Sequence, residues 1–175
     1  QLTSGFVSIK EEDGRVEHEF DDCPKIDALE ELLSEIPEDE KVFVVHEFIH
    51  SGNRIHKLLK EMKIKHARLN GATDNPVMEL RKFTQDASCR VLVANWRSAG
   101  AGLNLQCARY AIFYESPVGP IARTQTEGRM SGARQIHKSF IYDLAVAGSV
   151  DTRILEHLND GKDLFEAICS GGAKL

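Results

Sequence analysis

The stretch KVFVVH, Lys41 to His46, decides how the rest of the chain is read. Four apolar residues in a row, three of them valine, leave no polar face. A strand with one wet side alternates apolar and polar residues, whereas one covered on both sides does not need to. The run therefore predicts a strand buried on both faces, as in a parallel sheet. Outward from it the same punctuation recurs. Lys65–Leu69, Cys89–Asn95 (CRVLVAN), Ala111–Tyr114 and Ser139–Leu144 read as further strands. Between and around them lie helical spacings. PKIDALEELLSEI, opened by Pro24, sets Ile26, Leu29, Leu32, Leu33 and Ile36 on one face. Gly52–Met62 does the same with Ile55, Leu58, Leu59 and Met62. Asp74 or Asn75 caps a third helix with Pro76 in its first turn. Pro120 starts a fourth that runs through TQTEGRMSGARQ, Thr124–Gln135, and Val150–Ile168 closes the chain. Strand and helix alternate throughout, which predicts an α/β fold of three layers, a parallel sheet with helices on both faces.

Residues 1–23 read as a polar N-terminal arm, or a short hairpin around Asp13-Gly14, and 171–175 (GGAKL) as a frayed tail. That leaves 24–170 as one domain, which suits a chain of 175 residues. A net charge of -5 argues against a strongly basic nucleic-acid module but permits a local basic groove. The four cysteines are scattered without a C-x-x-C pair and read as reduced thiols of an intracellular protein. No apolar run is long enough to span a membrane, and no leader pattern opens the sequence.

Open α/β sheets bind ligands beyond the carboxyl ends of their strands. Four loops fall there: HEFIHSG, NGATDN, NWRSAGAGLNLQ and ESPVGP. All carry glycine or other small residues together with hydrogen-bonding groups, so one rim of the sheet reads as a binding edge. SAGAGLNLQ begins a G-x-G-x-x-G pattern, but Leu105 stands at the third glycine and the loop lags its strand, so it is no dinucleotide fingerprint. Its glycines let backbone N–H groups approach a phosphate or a neighbouring chain; a tight turn with no ligand is the other reading. Gly161-Lys162-Asp163 lacks the rest of a Walker A loop, and no Asp-Glu pair follows an apolar strand to hold magnesium. His46, His50 and His56 lack metal-ligand spacing and read as scaffold or surface groups.

Several of these loops, in order, resemble the C-terminal RecA-like lobe of a Swi/Snf-type superfamily 2 helicase, the class of DNA translocases. CPKIDALEELL is similar to the family's lead-in helix, and KVFVVHEFIHSGNRI to its motif IV. HARLNGATDNPVMELRKF resembles the strand, turn and helix that follow. VLVANWRSAGAGLNLQ resembles motif V, with Arg97, Gly100, Gly102, Leu103, Asn104 and Leu105 matching and Asn95, Trp96, Ser98 and Ala99 departing. TQTEGRMSGARQ resembles motif VI: Gln125, Gly128, Arg129 and Gln135 match, but Gly132 stands where the second arginine belongs. Arg134 lies two residues further on. It reaches back to serve, or the protein hydrolyses ATP poorly, or the change was introduced into the sequence.

The resemblance implies a lobe that closes on ATP and Mg2+, both held mainly by an N-terminal RecA-like lobe of the same protein. Arg129 and Arg134 become the candidate catalytic arginines, and Gly100, Gly102, Asn104, Gln125, Gly128 and Arg129 the candidate ATP-binding residues. The partner is DNA, as a duplex held by its backbone. Phe48 and His50 after the first strand, Gly71, Ala72 and Thr73 at a helix start, and Trp96 and Arg97 in motif V are the candidate contacts. Trp96 reads equally as a buried anchor, and Arg68 and Lys65 as solvated edge charges. Without Walker motifs the isolated chain is expected to be inactive. The alternative is a degraded lobe that docks protein or nucleic acid without hydrolysis. The cellular setting is intracellular: cytoplasmic in a prokaryote or virus-infected cell, nuclear in a eukaryote.

Overall fold

The computed structural model describes residues 1–11, 14–98, 103–130 and 138–160. Gly100, Gly102, Gly132 and Arg134, and the far end of the closing helix, lie outside the described residues. A single 3-10 turn, Leu2–Ser4, leads into an antiparallel hairpin of β1 (Phe6–Glu11) and β2 (Gly14–Glu19). Then follow α1 (Pro24–Glu35), β3 (Val42–His46), α2 (Ile49–Glu61), β4 (His66–Leu69), α3 (Pro76–Gln85) and β5 (Val91–Asn95). The described chain ends with β6 (Tyr110–Phe113), α4 (Pro120–Glu127), β7 (Phe140–Asp143) and α5 (Val150–Asn159). The five strands from β3 onward form one parallel sheet in the order β4-β5-β3-β6-β7.

The KVFVVH run occupies the centre, and all five residues of β3 are buried. Its alternation explains the three layers. Val42 and Val44 point to one face, where Leu29 and Leu33 of α1 and Ile55 and Leu59 of α2 cover them. Phe43 and Val45 point to the other, against Phe83 of α3 and Met130 just beyond α4. Gly52 is what lets α2 lie so close, because a Cβ there would meet the His46 ring at 2.6 Å.

Strand and helix do not alternate throughout. Among the described residues no α-helix joins β5 to β6. Leu105 and Ala108 of the connecting loop are themselves buried in the core cluster, so the loop covers the sheet where a helix would otherwise sit. α2 also starts at Ile49, three residues before the spacing alone suggests, because the extended Phe48 caps it.

Helix ends follow local chemistry. Asn75 caps α3 by accepting the Met78 N–H, and Ser149 caps α5 by accepting the Asp151 N–H. Lys41 Nζ donates to the carbonyls of Phe83, Asp86 and Cys89 at 2.6–2.9 Å, placing a cation at the α3 C-terminus. The edge strand β4 is blunted by α3: Glu79 accepts the Arg68 N–H at 2.8 Å, and Lys82 donates to the His66 carbonyl at 2.7 Å. The N-terminal arm is a docked hairpin. Phe6 is buried, and Arg54 of α2 donates to the Gly5 carbonyl at 2.8 Å.

Candidate functional site

The loops beyond the carboxyl ends of β3, β5 and β6 are cross-tied by two glutamates. Glu115, the second residue after β6, is buried. It accepts the backbone N–H groups of Glu47 (2.8 Å) and Phe48 (3.3 Å) and the Ser51 hydroxyl. One carboxylate thus fixes the whole β3–α2 turn. Glu47, the first residue after β3, turns the other way. It accepts the Trp96 indole N–H and pairs with Arg97 at 2.8 Å, while its carbonyl takes the Asn95 amide. Burial raises the Glu47 carboxyl above its ordinary range, Arg97 opposes that, and neighbouring Glu115 adds to it. Neither glutamate stands out by motif. Each is nevertheless an acid within two residues of the end of a strand, where its partners come from other loops.

Arg97 is the open cation of this rim. It is 67% exposed and lies over the Trp96 ring at 4.9 Å. Trp96 itself is half-buried against the core, so its ring is an anchor and its edge a rim group. Phe48 and His50 sit differently. Phe48 packs edge-on to Phe6 of the hairpin. His50 is buried, its ring 4.3 Å from that of Phe6 and its nitrogens 3.1 and 3.3 Å from Glu17 and Glu19. The hairpin covers His50, which leaves it a scaffold group.

The Gly71–Thr73 turn is not at a helix start. α3 begins at Pro76, and the Asn75 side chain accepts the Met78 N–H of its first turn. The turn is organised instead by Asn70, whose side chain accepts the Ala72 N–H at 2.9 Å while its own N–H goes to Thr73 Oγ1. Gly71 is exposed, with nothing within 4 Å of where a Cβ would stand.

The described nucleotide candidates lie on α4, just beyond it, or on the loop after β5. α4 starts at Pro120, in the loop after β6, and runs for 8 residues, about 12 Å. It delivers Arg129 to the loop after β5, where the Leu105 N–H donates to the Arg129 carbonyl at 2.9 Å. Asn104, exposed, accepts the Gln106 N–H and stiffens the same loop. Gln125 and Gly128 are exposed on or beside α4. Glu127 and Asp143 are held by Arg123. That side chain grips Asp143 with two nitrogens, bonds Glu127 and Ser116, and stacks on Phe113 at 3.7 Å. Arg123 is a positioning residue that fixes α4 to β7, and motif reading alone passes it over. A cavity of about 360 Å³ beside the rim is lined in part by Lys25, whose ammonium pairs with Asp151 at 2.8 Å and donates to the Tyr114 carbonyl. Among the described residues no group of three His, Cys, Asp or Glu side chains is arranged to hold a metal ion.

Three histidines titrate below their ordinary value near 6.5. Burial is the leading cause at His46, His66 and His56, and the last is pushed down to about 4. The unfolded chain then binds protons first as pH falls. The stability they confer is complete above about 6.5 and is lost as pH drops toward 4. The expected result is that His56→Gln gains stability relative to the unsubstituted protein across that window, read by thermal unfolding. Glu47, whose raised pKa acts in the opposite sense, is common to both proteins and cancels.

A five-stranded parallel sheet with helices on both faces defines a RecA-like lobe. The helicase conserved C-terminal domain matches residues 24–132, and the chain belongs to that family. Its relatives are of the Swi/Snf type. It is 25% identical to the ATP-dependent helicase fft3 of Schizosaccharomyces pombe over 87% of this chain and 17% of that protein. Against the chromatin-remodeling ATPase INO80 of Aspergillus oryzae it is 26% identical, over 87% and 11%. Against the putative helicase R592 of Acanthamoeba polyphaga mimivirus it is 28% identical, over 77% and 17%. The chain thus spans less than a fifth of the length of these curated relatives. The solved C-terminal part of the Fun30 ATPase domain superposes with a TM-score of 0.71 at 27% identity, over 75% of this chain and 44% of that one.

Proposed function

We propose that this chain is the second motor lobe of an ATP-dependent DNA translocase. In this reading an N-terminal lobe of the same protein holds most of the ATP, and the two lobes close on it. Closure brings the Arg129 guanidinium to the γ-phosphate, where it stabilises the charge that develops during transfer to water. Gln125, Asn104 and Gly128 line the same side, and Gly100, Gly102 and Arg134 join them by motif. Mg2+ is held mainly by the first lobe in this reading, where it would neutralise phosphate charge. DNA crosses the carboxyl rim of the sheet, over Arg97, the edge of Trp96 and the Gly71–Thr73 turn, with contacts to the backbone alone. Phe48 supports that rim from below.

One observation carries the reading. The loop that leaves the rim at Asn95–Arg97 returns as Leu105, and its N–H is bonded to the Arg129 carbonyl. A single loop therefore links the DNA-facing rim to the ATP-facing arginine, as coupling of grip to hydrolysis requires.

Arg97→Ala tests the rim. The expected result is weaker duplex binding by the full-length protein regardless of sequence, with the slope of log affinity against log salt reduced by about one. Unchanged affinity and slope would remove Arg97 from the DNA path. A second reading, a lobe that docks without hydrolysing, rests on Gly132 standing where the family's second arginine stands. It is favoured if the full-length protein binds DNA but does not turn over ATP.

A further inference from the structure

The groove along the β4 edge of the sheet holds a second cluster that the rim does not use. It has a volume of about 730 Å³ and lies between α2, β4 and the start of α3, with the Asn70–Asn75 turn at one end. Its centre is a histidine pair: His56 Nδ1 of α2 and His66 Nε2 of β4 are 2.6 Å apart, the rings edge to face. The tautomers follow from the neighbours. His66 Nδ1 is 2.8 Å from the Ile64 carbonyl and must donate to it. Its Nε2 is then bare and accepts from His56 Nδ1–H, so His56 Nε2 is the nitrogen left to take a proton.

Cations surround the pair. Arg68 on β4, Lys82 on α3 and Lys60 on α2 all push the His56 pKa down, after burial. Against them stand Asp74 in the turn and Glu79 on α3. Glu79 is already committed to the Arg68 N–H and lies 3.9 Å from Lys82. Arg68 is aimed across the groove, its guanidinium donating to Asn53 of α2 at 2.7 Å. Three cations, two carboxylates and a neutral histidine pair make a site that lacks an anion. A metal ion would meet the wrong field.

We propose that this groove binds a backbone phosphate of DNA, through Arg68 and a proton taken up at His56 Nε2. The inference rests on the DNA reading above and extends it, because the Asn70–Thr73 turn belongs to both the rim and the groove. The sign is determined by the free state. The pair is neutral near pH 7, an anion raises its proton affinity, and a proton enters with the phosphate. Affinity then rises as pH falls toward the free-state value of about 4, by up to about tenfold per pH unit.

The test is duplex affinity of the full-length protein from pH 7.5 to 5.0 at several salt concentrations. The unsubstituted protein is expected to tighten on acidification. The His56→Gln, His66→Gln double variant is expected to lose most of that pH dependence. Arg68→Gln, which keeps the protein's histidines, is expected to lower the salt slope by about one. Glu47 and His50, which also lie near the rim, are shared by all variants and drop out of the comparison. If Arg97→Ala weakens binding while the groove variants match the unsubstituted protein in pH profile and salt slope, this inference fails and the rim stands. If the unsubstituted protein binds no duplex, both fall.

Discussion

Arg129→Ala is expected to slow ATP hydrolysis by the full-length protein by at least about 10³-fold, the range set by arginine fingers in phosphoryl transfer. The substitution is well placed to be informative. One tie between this segment and the loop after β5 is the Arg129 backbone carbonyl, accepting from Leu105. Alanine keeps that carbonyl, and Met130 next to it stays buried in the core. A lost rate with an unchanged melting temperature would therefore report the guanidinium. Arg134→Ala, measured beside it, decides among the readings of Gly132: a comparable loss makes Arg134 the second finger, and no loss leaves Arg129 acting alone. If Arg129→Ala hydrolyses ATP at the unsubstituted rate, the motif VI assignment is wrong.

Glu115→Ala is expected to cost about 3 kcal/mol of folding stability. The carboxylate is buried and serves three donors, the Glu47 and Phe48 N–H groups and the Ser51 hydroxyl. Each buried donor left unmade costs about 1–3 kcal/mol, and water recovers part of that at the half-buried turn. For a chain of this size the loss corresponds to a fall in Tm of roughly 6–12 °C. The effect extends beyond stability. The turn that Glu115 fixes carries Glu47, which in turn holds Trp96 and Arg97. Duplex affinity is expected to fall with stability, although residue 115 need touch no DNA. Glu115→Gln keeps the shape but turns a donor toward donors, so its Tm should lie between those of the other two proteins. Calorimetry on the three checks the order.

Much of the fold is legible in the sequence because burial on both faces leaves a plain signature. KVFVVH and RVLVA could be little else than central strands, and the strands found there match within one or two residues. Pro24, Pro76 and Pro120 mark helix starts for the reason proline suits a first turn. The β5–β6 connection was less legible. A glycine-rich loop carries no period, and nothing local says that Leu105 and Ala108 will cover the sheet in place of a helix. The site divides in the same way. Arg97 and Arg129 are visible as motif positions. Glu47, Glu115 and Arg123 are not, since each gains its role from partners far along the chain or on another strand: Glu115 and Ser51 are 64 residues apart, Arg123 and Asp143 are 20. His50 shows the opposite failure. Its place after a strand suggests the rim, but the N-terminal hairpin, unremarkable as sequence, covers it.

Glu115 and the Leu105–Arg129 bond make the same physical point. Loops that are separate in sequence are bonded into one unit, and the proposed DNA path and the proposed ATP contact are two ends of it. The most direct measurement is the steady-state rate of ATP hydrolysis by the full-length protein with and without duplex DNA. A coupled motor lobe requires a rate several-fold higher with DNA, and a stimulation lost in Arg97→Ala. Equal rates with and without DNA would contradict it.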